Sequence, residues 1–143
     1  MEVSKPARLF LLITLLFNGL SGLICGALFM IAPDGSLMGA GDGGLLAIVQ
    51  NFPLSDLFFR DLFWTGLALF LIVGVPSTIA AIALLRKADP QYMFAFVAAR
   101  LLVVFCFIEI LFMPNLLVIF FLLIGIIQTV IAIRVVRQNK IQI

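Results

Sequence analysis

QYMFAFVAARLLVVFCFIEILFMPNLLVIFFLLIGIIQTVIAI, residues 91–133, is an almost unbroken apolar run whose only charges are Arg100 and Glu109. As a single helix it would be about twice as long as the hydrocarbon core of a bilayer is thick. A reversal is therefore required, and Pro114-Asn115 supplies the one interruption. Proline does not continue the preceding helix, and only these two residues separate the flanking segments. The run reads as two crossings, 91–113 and 115–133, folded into a tight hairpin.

Working outward, 9–32 and 62–85 have the same character and length, and RKADPQ at 86–91 is the short link before the hairpin. Of the 143 residues, 64% are hydrophobic and 11% charged, with a mean hydropathy of +1.30. A soluble domain keeps roughly a quarter of its residues charged. The expected fold is all-α: one integral membrane domain over 1–143, a four-helix bundle with an outer loop at 33–54. The chain has no histidine, which removes the commonest metal ligand and the usual general base near neutral pH. Cys25 and Cys106 form no CxxC pair, so redox chemistry has no visible basis, and free packing residues are the expectation. A net charge of +2 gives nucleic acid nothing to bind.

Charge placement sets the orientation. Lys5, Arg8, Arg86, Lys87, Arg134, Arg137 and Lys140 fall on one side of four crossings, while Arg60 stands opposite among Asp34, Asp42, Asp56 and Asp61. By the positive-inside rule both termini are cytoplasmic. Trp64 and Tyr92 fit the aromatic belts at the two interfaces. The first run is too long for a signal core and lacks an A-x-A site, so it reads as a retained span.

The outer loop begins with Pro33-Asp34-Gly35-Ser36, turn chemistry in which glycine supplies positive φ. Asp42 is placed to cap a short helical or re-entrant lid through GLLAIVQN, and Ser55 or Asp56 to cap the second span. Gly39–Gly44 matches GxGxxG, but a membrane helix precedes it where a dinucleotide site needs a strand. A first span ending in PDGS, an apolar outer loop and a phenylalanine-rich, glycine-spaced second span resemble a family of small multi-pass bacterial inner-membrane proteins. That resemblance implies a bacterial inner-membrane location and carries over no catalytic residue.

In lipid, small residues mark helix contacts. Gly22 and Gly26 follow Asn18 at four-residue spacing, Gly66 and Gly74 stand on a stripe with Thr78, and Gly125 serves the last span. Pro76 is expected to kink the second span. Arg100 lies about 14 Å into its span, near the midplane, with Asn18, Thr78 and Gln128 at similar depth. Glu109 is about 13 Å further out and leaves the opposite face of the helix, so the two do not pair. Arg60 or the loop is the better partner for Glu109.

An arginine at this depth is expected to point into the bundle toward something that compensates it. Three readings stand: Asn18, Gln128 and carbonyls freed near Pro76 satisfy it; an anionic head group pairs with it; or it serves ion movement gated by Glu109. With no metal cluster and no nucleophile–base pair, an enzyme is not expected, and no cofactor is implied. The expectation is an accessory, scaffold or partner-binding subunit with a mid-membrane polar site around Arg100. The alternative is a binder or transporter of a small anionic or amphiphilic ligand, such as a lipid head group or carboxylate. Partners are the lipid bilayer, a membrane protein or further copies of the chain, and an anionic lipid or small molecule.

Overall fold

The computed structural model describes residues 5–38, 50–51, 60–112 and 114–140. Four helices long and apolar enough to cross a membrane organise it: α1 (Lys5–Ile31), α2 (Phe63–Arg86), α3 (Gln91–Phe112) and α4 (Leu116–Lys140). The protein is a multi-pass membrane protein, all-helical among the described residues. Its outer surface is correspondingly greasy: Leu20, Ile24, Phe107 and Leu116 are all exposed. The expected lid helix, the GxGxxG turn, the Asp42 cap and the Ser55 and Asp56 positions lie outside the described residues.

Local chemistry sets the ends. Gly35 takes φ 74°, and its amide bonds the Ala32 carbonyl at 2.9 Å, closing the turn after α1. The Ser36 amide donates to the Asp34 carboxylate at 3.0 Å. That bond holds the exposed Asp34 carboxyl below the usual carboxylate range, helped by the Ser36 hydroxyl. Leu62 N–H donates to the Pro33 carbonyl at 2.8 Å, tying the end of α1 to the start of α2. The carboxylate serving the first turn of α2 is Asp61, which accepts from Phe63 N–H at 3.0 Å. Asn115 caps α4 by accepting from Val118 N–H at 3.0 Å, which accounts for the hairpin reversal. At the other end of α2, Lys87 stands at φ 52° while Ala88 N–H bonds the Ala83 carbonyl at 3.0 Å. Arg8 donates to the Leu84 carbonyl at 2.6 Å, placing a cation on the last turn of α2.

The helices run up and down. α1 packs along all of α2, α3 packs along all of α4, and α2 also packs on α3; the contact of α1 with α4 is smaller. The α1–α2 seam is a line of close approaches: Gly19 against Thr78, Gly22 against Gly74, and Gly26 against Gly66 and Phe70. Without side chains at these points, main chain can meet main chain and dispersion contacts replace the missing hydrophobic drive. Gly125 makes a looser version of this contact, against the side chains of Val103 and Leu102.

α2 is not uniform. Phe63–Ala68 is α-helical, Leu69–Gly74 is π-helical, and Val75–Arg86 is α-helical again. Pro76 follows the π segment by two residues; it has no N–H to donate to the carbonyl one turn back, and a widened turn accommodates its ring. Thr78 donates its hydroxyl to the Gly74 carbonyl at 2.8 Å, adding a bond where the backbone ladder is perturbed.

Candidate functional site

Five buried residues fix which way α3 faces. Its buried positions are Ala95, Ala98, Ala99, Leu102 and Cys106, which fall on one stripe at about 100° per residue. Arg100 is about 140° away from the middle of that stripe. Its side chain is exposed on the outward surface of the bundle. The expectation that Arg100 points inward is therefore corrected: alanines take the inward positions of α3, and the arginine has the opposite side. Glu109, about 180° from Arg100, lies on the edge of the inward stripe and is half-buried. Neither charge forms an ion pair among the described residues, and Arg60, the expected partner of Glu109, is exposed.

The polar residues expected at one level are not gathered into one layer: some lie inside the bundle and Arg100 lies outside it. Inside the bundle, Asn18 and Gln128 are both 0% exposed, and Asn18 Nδ2 donates to Gln128 Oε1 at 3.3 Å. Gln128 Nε2 donates to Thr14 Oγ1 at 2.7 Å, and Thr14 passes its own proton to the Phe10 carbonyl at 2.8 Å. Asn18 Oδ1 is buried without a partner. Thr78 belongs to neither part, since it sits on the α1–α2 seam over Gly19. Outside, Thr129 shares a groove with Arg100. Gln128 and Thr129 are adjacent in sequence, about 100° apart on α4, and that rotation separates the two halves.

The groove runs between α3 and α4, open to the exterior, with a volume of about 480 Å³. It is lined by Arg100, Val103, Val104, Ile126, Thr129 and Val130. The guanidinium leans back along α3, its central carbon 4.9 Å from the centre of the Phe96 ring one turn earlier. This cation–π contact offsets part of the desolvation that arginine meets in a bilayer, but it satisfies none of the five N–H donors. Thr129 commits its hydroxyl proton to the Gly125 carbonyl at 2.8 Å, so the donors in the groove are those of Arg100.

A guanidinium with free N–H donors is chemically suited to pairing with an anion. No group of acidic, cysteine or histidine residues able to hold a metal occurs among the described residues, and Cys25 and Cys106 are free thiols. Phe96 and Thr14 had escaped notice in the sequence, although Phe96 stands at the i−4 position where a helical arginine reaches. No family model, curated protein or solved structure matches this chain.

Proposed function

We propose that this protein is an accessory, partner-binding subunit of a bacterial inner membrane, with the basic end of the bundle and both termini in the cytoplasm. Its working surface is the α3–α4 groove, and its working group is the Arg100 guanidinium. The observation that carries this reading is the position of Arg100: exposed on the outward surface, halfway along a span, with no carboxylate beside it among the described residues. Such a placement costs from about 3 to over 10 kcal/mol in hydrocarbon. An acidic group carried by the occupant of the groove, whether a protein segment or an amphiphile of the bilayer, recovers much of that cost and gives the interaction its selectivity.

A photoreactive residue at Val104, in the groove, is compared with one at Ile79, exposed on α2. In native membranes we expect discrete adducts at Val104 that vanish on Arg100→Gln, and only diffuse lipid labelling at Ile79. Equal labelling of the two positions, or adducts indifferent to Arg100, would sink the proposal.

A further inference from the structure

We infer that the occupant of the groove is a single-chain carboxylate amphiphile of the fatty-acid class, its head on Arg100 and its tail along Val103, Val104 and Ile126. The inference rests on the groove being the working surface, and it names the chemistry that fills it.

Polarity comes first. The basic end of the bundle carries Lys5, Arg8, Arg86, Lys87, Arg134 and Arg137. Arg100 leans toward that end, because Phe96 precedes it on a helix that starts there. Val103 and Val104 lie on the other side, deeper in the membrane, with Ile126 opposite them on antiparallel α4. A head on the guanidinium therefore lies on the basic-end side of the groove, and a tail running along Val103, Val104 and Ile126 passes away from that end toward and across the midplane.

Depth then separates the candidate head groups. The Arg100 Cα is about 14 Å from the start of α3, and the lean toward Phe96 brings the guanidinium about 5 Å closer. It remains about 9 Å inside the helix end. A phospholipid phosphate lies outside the hydrocarbon layer and is anchored there by its glycerol and second chain. A carboxylate at the end of one chain has no such anchor and can be drawn down. Its two oxygens match the parallel donors of a guanidinium.

A second copy of this protein is a poorer occupant. Its one carboxylate within a span, Glu109, stands about 13 Å further from the basic end than Arg100 in a parallel pair. The lean of Arg100 widens that gap.

The test uses the full chain in phosphatidylcholine nanodiscs and a palmitate analogue bearing a diazirine. Competitors are palmitate, methyl palmitate, phosphatidylglycerol and a leucine–alanine transmembrane peptide with one glutamate. We expect labelling at Val103, Val104 and Ile126, competition by palmitate alone, and a loss of at least tenfold on Arg100→Gln with an unchanged melting temperature. Arg100→Lys should keep part of the binding, and Val104→Trp, which fills the groove and leaves the charge, should lose it. Arg100-dependent competition by phosphatidylglycerol or by the glutamate peptide, in preference to palmitate, would overturn the fatty-acid assignment and leave the groove reading standing. If no acidic probe responds to Arg100→Gln or Val104→Trp, both fall together.

Discussion

Gly22 and Gly74 meet main chain to main chain: a Cβ added to Gly22 would lie 2.6 Å from the Gly74 nitrogen and 2.7 Å from its Cα. Neither neighbour can rotate away, so the helices must separate. Gly22→Ala should cost about 1–3 kcal/mol by overpacking, despite the better helix propensity of alanine. At Gly125 the nearest atom to an added Cβ is Val103 Cγ2 at 2.9 Å, a side-chain atom and not main chain. Gly125→Ala should therefore cost less than Gly22→Ala. Equilibrium unfolding in mixed detergent micelles measures both, and equal losses would refute the backbone-contact account of the α1–α2 seam.

Lys87 ends α2 in the left-handed region at φ 52°. A side chain there costs about 1–2 kcal/mol that glycine does not incur. Lys87→Gly should raise unfolding stability by about 1 kcal/mol, with Lys87→Asn giving a smaller gain. No gain in either variant would mean that the lysine charge compensates its own backbone.

Asp34 gives the turn after α1 a defined pH dependence. Hydrogen bonds from the Ser36 amide and hydroxyl hold its carboxyl below the ordinary value of 3.8 in the folded chain. A lowered folded value means stabilisation that is fully present above the unfolded value and is lost as pH falls through the folded one. Protection of the Ser36 amide against hydrogen exchange should hold at pH 5 and above and decline below about 3.8. Asp34→Asn should flatten that decline.

Much of the architecture was written in hydropathy. The readings 9–32, 62–85, 91–113 and 115–133 each overlap one of Lys5–Ile31, Phe63–Arg86, Gln91–Phe112 and Leu116–Lys140, because bilayer thickness sets a length that composition reveals; the first helix starts four residues earlier and the last runs seven residues further, through the polar flanks. The break at Pro114-Asn115 and the Pro33–Gly35 turn were legible because turn chemistry is local, whereas the capping bond from Val118 N–H to Asn115 is seen only in the structure. The direction of Arg100 was not, because a mean hydropathy carries no azimuth. The signal was nonetheless there: Ala95, Ala98 and Ala99 form a small-residue stripe like those read on the other spans, and it places Arg100 outward. The division of the polar level between Gln128 and Thr129 depends on how α4 is rotated, which only packing fixes.

Asn18 and Gln128 share one hydrogen bond but differ in what their loss leaves behind. Gln128→Leu removes both the 3.3 Å bond from Asn18 and the 2.7 Å bond to Thr14, stranding an Asn18 amide that has no exposure at all. Leaving a buried polar group unpaired costs about 1–3 kcal/mol. Asn18→Leu removes the weaker bond only, and takes away Asn18 Oδ1, which is already without a partner. It should cost less than about 1 kcal/mol, and the double variant should cost less than the two singles combined, by the 0.6 to about 1.7 kcal/mol usual for hydrogen bonds between membrane helices. A double-mutant cycle read by detergent unfolding measures this. If Asn18→Leu proves the more damaging single change, its carbonyl oxygen is satisfied in the bilayer, and the buried chain extends beyond Thr14, Asn18 and Gln128.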